Sequence, residues 1–136
     1  MSCMLRISGE SLDVDAMLSE CGLIPHRTWR KNEARTLKGK VHTDSGANFV
    51  ASEADLDNFS GQVEEAIAFL EWHAAIAAKM AAFPGVQAAV LDFGVSLSEG
   101  YVAQFCYLPP LLVQLAASAM LGLEISQYAC SESGEV

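Results

Sequence analysis

The chain has 136 residues, half of them hydrophobic, and 17 acids against 8 bases give it a net charge of −9. That length bounds one domain with a single core, and the apolar content excludes a disordered chain. The acidic balance works against general binding to nucleic acid or to an anionic membrane, and it favours a basic partner.

The chain's opening residues, Met1 to Glu10, show no charged stretch followed by an apolar one, so they do not read as a secretory leader. The four cysteines (Cys3, Cys21, Cys106, Cys130) have no C-x-x-C spacing. Reduced thiols used as small core residues, in a cytoplasmic protein, are the expectation. The longest apolar run, Leu108 to Leu123, is short of a membrane span and contains Gln114 and Ser118.

In chain order, residues 3–8 alternate, with Leu5 and Ile7 on one side and Arg6 and Ser8 on the other, which predicts a half-buried strand. Leu12, Val14, Met17, Leu18 and Cys21 then recur at helical spacing, with Asp13 and Asp15 in the first turn and Gly22 as the cap. Leu23-Ile24-Pro25 leads into a basic loop over 26–40, within which Thr28-Trp29-Arg30 is a short extended piece. Residues 27–40 hold Arg27, Arg30, Lys31, Arg35, Lys38 and Lys40 against Glu33, a net +5, so the remaining 122 residues carry −14.

Residues 41–52 return to extended chain, with a turn at Asp44-Ser45-Gly46 and a strand centred on Asn48 to Ala51. A long helix follows. Phe59, Val63, Ile67, Leu70, Ala74, Ala77 and Ala81 form one apolar stripe, and Phe69, Trp72, Ile76, Met80 and Phe83 form another. Ser52, Asp55 and Asp57 are its candidate caps, and Pro84-Gly85 ends it. The alternations in 86–98 and 101–108, separated by Glu99-Gly100, predict a hairpin. Pro109-Pro110 opens a third helix lined by Leu111, Leu112, Leu115, Ala116 and Ala119, and Gly122 is expected to close it. A strand from Leu123 to Cys130 and a fraying tail, Ser131 to Val136, complete the chain. The pattern predicts a single α+β domain over 1–136: a mixed or antiparallel sheet of about five strands, with three helices mainly on one face.

No nucleotide fingerprint is present, and Gly39-Lys40 lacks the upstream glycine of a phosphate loop. Gly94-Val95-Ser96-Leu97-Ser98 approaches a nucleophile elbow but ends in serine and lies in a predicted strand. Asp55-Leu56-Asp57-Asn58 opens like a calcium loop, but Phe59 and Ser60 break the pattern. Asn58-Phe59-Ser60 matches a glycosylation sequon that a cytoplasmic protein does not use. His26, His42 and His73 sit at no metal-binding interval, and no motif pairs a cysteine with His42 as a nucleophile. The expectation is therefore no metal, no cofactor and no catalytic residue.

The basic loop supports three readings. Trp29 is a lid over a sheet edge while the bases pair with the chain's own surplus acids. Or Arg27, Trp29, Arg30 and Lys31 bind an anionic group, with the indole stacking on a planar one. A nucleic-acid site is the weakest, because the acidic remainder repels the backbone.

Leu5-Arg6-Ile7-Ser8-Gly9-Glu10-Ser11-Leu12-Asp13, Cys21-Gly22-Leu23-Ile24-Pro25, Arg27-Thr28-Trp29-Arg30-Lys31, Leu108-Pro109-Pro110-Leu111-Leu112 and Leu123-Glu124-Ile125-Ser126-Gln127-Tyr128 together carry a resemblance. Through them the chain resembles a bacterial family of uncharacterised proteins, the domain of unknown function 4279. It departs from that family's tendencies at Asn32, where the family has glycine, and at Phe49, where it has tryptophan. The resemblance implies a small α+β domain and no reaction.

The reading favours a non-enzymatic binding or interaction protein of the bacterial cytoplasm, immunity- or antitoxin-like, that meets a basic protein partner by electrostatic steering. The alternative is a sensor or enzyme whose anionic ligand docks at Arg27, Trp29, Arg30 and Lys31. A third reading is a homodimer joined through a sheet edge or the hairpin.

Overall fold

In the computed structural model, residues 1–36, 38–97, 100 and 102–129 are described. The fold is α+β. A mixed five-stranded sheet is built from β1 (Cys3–Gly9), β2 (Arg27–Trp29), β3 (Ser45–Ser52), β4 (Ala88–Leu97) and β5 (Gly122–Ala129). Their spatial order is β2-β3-β1-β4-β5. The helices are α1 (Val14–Cys21), α2 (Phe59–Ala81) and α3 (Pro110–Ser118).

Strand β1 lies at the centre and pairs antiparallel with β3 and β4. Its alternation separates two faces. Cys3, Leu5 and Ile7 align with Phe49 and Ala47 on one side and with Phe93 and Leu91 on the other. All of them are buried in one hydrophobic cluster with residues of all three helices, such as Met17, Leu70 and Leu112. Each such fully buried large side chain contributes about 1.5–3 kcal/mol. The opposite face presents Arg6, in register with Asn48 of β3, and Asp92 of β4, in register with Glu124 of β5.

Helix α1 begins where the Asp13 carboxylate accepts from the Ala16 N–H at 3.1 Å, a cap whose loss costs about 0.5–2 kcal/mol. It ends at Gly22, whose left-handed φ of 73° lets its N–H reach the Leu18 carbonyl. The cap of α2 is Asn58, which accepts from Gly61 N–H, and not Ser52, Asp55 or Asp57. The Ser52 hydroxyl is already engaged by Glu65 and the Ala54 N–H, and the Asp55 carbonyl closes a turn with the Asn58 N–H. Non-helical angles at His73 kink α2. Trp72, expected in the core stripe, is 84% exposed. Val63, Leu70, Ala77 and Met80 of the expected stripes do face the core, joined by Gln62 and Ala66.

The predicted hairpin is not formed among the described residues. Ser98, Glu99 and Tyr101 fall outside the described residues, and Val102 to Leu108 are not in a strand. Strand β4 instead takes β5 as its parallel neighbour in an unbroken eight-pair register, delivered by the crossover through α3. A parallel pair needs such a crossover, and its formation leaves no edge of β4 for a hairpin partner. Alternation in 101–108 was apolar on both sides, so it carried no preference for a sheet face. The fifth strand is β2, close to the short extended piece expected within the basic loop. At the end of α3 the left-handed residue is Met120 (φ 59°), not Gly122, which already belongs to β5. The predicted tail and Cys130 lie outside the described residues.

Candidate functional site

The basic loop is a small folded-back finger. Asn32 N–H donates to the His42 carbonyl, His42 N–H to the Glu33 carbonyl and Arg35 N–H to the Lys40 carbonyl. Ala34 and Val41 bridge antiparallel between them. Asn32, at the position where the resembled family carries glycine, takes a left-handed φ of 72° that asparagine tolerates better than most residues. This ladder is too short for a periodic pattern to mark it in the sequence.

Folding the finger back over β2 and β3 creates a cleft of about 530 Å³ on the face of the sheet away from the helices. Its lining residues are Arg27, Trp29, Arg35, Thr36, His42, Thr43, Asp44 and Asn48. Register explains the assembly: Arg27 lies opposite Asn48, and Trp29 opposite Gly46. Residues two apart on a strand share a face, so Arg27 and Trp29 point the same way.

Trp29 is fixed on three sides. Its Nε1–H donates to Asp44 Oδ1 at 2.9 Å. The His42 ring stacks beside it, 6.2 Å between centroids and 28° from parallel. Gly46 lies beneath it, where a Cβ would fall 2.8 Å from Trp29 Cε2 and 2.6 Å from the Ile7 carbonyl oxygen. The indole is therefore a wall of the cleft, and its faces are already in use.

The charges on this sheet face divide sharply. Arg6 is neutralised by Asp92 at 3.2 Å and Glu124 at 2.8 Å, and the Ser126 hydroxyl donates to Asp92. Arg30 leaves the cleft altogether: it binds Asp15 through Nε (2.9 Å) and Nη2 (2.5 Å), with Glu33 at 3.7 Å. The hydrogen bonds from Arg30 hold the Asp15 carboxyl below its ordinary range. Lys31 is exposed, and its backbone N–H donates to the Ser45 hydroxyl. Arg27 and Arg35, by contrast, have no carboxylate within ion-pair distance among the described residues. Asn48 Oδ1 is buried and has no hydrogen-bond partner among those residues.

Of the four residues expected from sequence, the structure brings Arg27 and Trp29 into the cleft and directs Arg30 and Lys31 elsewhere. Arg30 follows β2 and is out of phase with Arg27, and Asp15 on α1 lies within reach. Arg35, His42 and Asn48 were missed. The turn glycine Gly39 between Arg35 and His42 was the one local signal that the finger doubles back. Compared with models of known families, with curated proteins and with solved structures, the chain matches none of them.

Among the described residues no three His, Cys, Asp or Glu side chains converge as a metal site would need. Nor is any helix long and apolar enough to cross a membrane. What the cleft offers chemically is a pair of forked cations, the His42 ring, two threonine side chains and an orphaned amide.

Proposed function

We propose that the protein is a non-enzymatic binding module of the bacterial cytoplasm whose cleft holds a small molecule bearing an anionic group. One observation carries this reading: Arg27 and Arg35 line one concavity with no carboxylate partner among the described residues, in a chain whose acids outnumber its bases two to one. Arg6 and Arg30 each find two acids. Guanidinium groups left open in a shaped cleft suit a phosphate or carboxylate, which accepts their N–H groups in parallel pairs. Thr36 and Thr43 add hydroxyls at its rim, and the Asp44 carboxylate is taken up by Trp29.

The relation to the domain of unknown function 4279 family is part of the same proposal and contributes no activity. Calorimetric titration with inorganic phosphate, nucleoside monophosphates and aromatic carboxylates tests the reading. Saturable binding of at least one class is expected, weakened roughly tenfold or more by the Arg27→Ala/Arg35→Ala pair and unaffected by Lys31→Ala. No binding across the panel, or equal binding by the double variant, overturns it.

A further inference from the structure

A second concave surface lies on the helical side of the molecule, between the first half of α2 and the extended segment that leads into α3. Phe59, Val63 and Ile67, one turn apart on α2, face Phe105, Tyr107 and Pro109 across a groove of about 380 Å³. Phe105 and Tyr107 are 89% and 72% exposed. Exposed aromatic groups gathered along one groove are the residue types that anchor interfaces, whereas singly scattered ones are ordinary.

The charge along the α2 side of this groove is acidic. Glu64 lines it and Glu71 follows one turn after Ile67; both are exposed. From Val41 to the end of the sequence the chain contains a single Lys or Arg, Lys79, and its ammonium lies against the Glu20 carbonyl near the end of α1. A partner therefore meets an apolar floor with acids along its α2 side. A second copy docked groove to groove would bring the same acids against it, and an anionic lipid surface would be repelled.

We propose that this groove docks a basic amphipathic helix of another protein, its apolar stripe on the α2 aromatics and aliphatics and its Lys or Arg residues on those acids. From Phe59 to Glu71 this side of α2 runs about 18 Å at the helical rise, the length of a three-turn helix. The proposal is independent of the anion cleft, which faces the other side of the sheet.

The test uses two synthetic helical peptides with the same leucine spacing, one with lysine and one with glutamate at the remaining positions. They are titrated by fluorescence anisotropy against the full chain, the Phe105→Ser/Tyr107→Ser pair, the Glu64→Lys/Glu71→Lys pair and a control, Glu10→Lys/Glu20→Lys, which changes net charge equally away from the groove. The lysine peptide is expected to bind saturably, to weaken as salt rises, and to lose roughly tenfold or more with either groove variant but little with the control. Arg27→Ala/Arg35→Ala should bind it as the wild type does. All substituted groove residues are exposed, and circular dichroism checks that the variants stay folded. Absence of saturable binding overturns the proposal, as does equal binding of the glutamate peptide or equal loss in groove and control variants. A chain that elutes as a dimer and becomes monomeric in Phe105→Ser/Tyr107→Ser also overturns it, because a second copy then fills the groove.

Discussion

The indole of Trp29 lies directly on Gly46, its cross-strand partner, with no room for a methyl group between them. Gly46→Ala must therefore lift the ring or shift β3 against the Ile7 carbonyl. Overpacking of this kind costs about 1–3 kcal/mol. Urea denaturation should show that loss. Any anion affinity of the cleft should fall with it, because the displaced ring also gives up its bond to Asp44. An unchanged midpoint with unchanged tryptophan emission would contradict this packing.

Gln62 is fully buried in α2, and its side-chain amide donates to the Gly94 carbonyl at 2.7 Å and the Asp55 carbonyl at 3.2 Å. It ties the helix to β4 and to the turn before the helix. Gln62→Leu keeps the bulk but removes both donors, taking this partner from the buried Gly94 carbonyl, while the Asp55 carbonyl keeps the Asn58 N–H. The expected loss is about 1–3 kcal/mol, measured by chemical denaturation. A neutral outcome would show that the Gly94 carbonyl finds another donor.

The Arg30–Asp15 pair makes a pH-dependent contribution with a defined sign. Hydrogen bonding from Arg30 depresses the Asp15 carboxyl in the folded state. Its stabilisation is therefore complete above the unfolded value of about 3.9 and disappears as pH falls through the lower folded value. Acidification from about pH 5 to about pH 2 should cost the wild type more stability than Arg30→Ala. The difference should shrink in high salt, since the pair is exposed. A carbon-detected NMR titration of Asp15 gives the direct check: its midpoint should rise toward the ordinary value in Arg30→Ala.

Cysteine reactivity should follow burial. Cys3 is fully enclosed on the central strand, and desolvation pushes its thiol far up; the nearby Asp92 charge adds to the effect. Burial also raises Cys21, which is 9% exposed. Cys106 lies half-buried in the segment before α3. Mild iodoacetamide on the native protein, read by peptide mapping, should label Cys106 well before Cys21 and Cys3. Equal labelling of Cys3 would mean that β1 opens readily.

Most elements were legible because their signals are local. The alternation of Leu5 and Ile7, the glycine after Cys21, the long apolar face of α2 and the paired prolines before α3 each depend on a few neighbouring residues. The strand partner of β4 does not. It was decided between the 101–108 segment and β5, which lies beyond α3, and no property of either segment alone records that competition. The site was half legible for a related reason. A run of charges in sequence marks the right stretch, but a strand sends alternate residues to opposite faces. Arg27 and Trp29 thus shared a destination that Arg30 did not, and Lys31 falls in the turn beyond the end of β2. Arg35, His42 and Asn48 depended on the finger folding back, which two short hydrogen-bonded rungs accomplish without a hydrophobic pattern.

Every lining residue of the cleft falls between Arg27 and Asn48, and these two positions lie opposite each other in the β2–β3 ladder. The lining thus comes from one excursion of the chain that leaves β2 after Trp29 and rejoins β3 at Ser45. Its described residues between Lys31 and Asp44 contribute nothing to the core cluster, so this stretch can be lengthened, shortened or exchanged without disturbing the residues that hold the helices to the sheet. Exchanging it alters the cleft at Arg35, Thr36, His42, Thr43 and Asp44 and leaves Arg27, Trp29 and Asn48 in place.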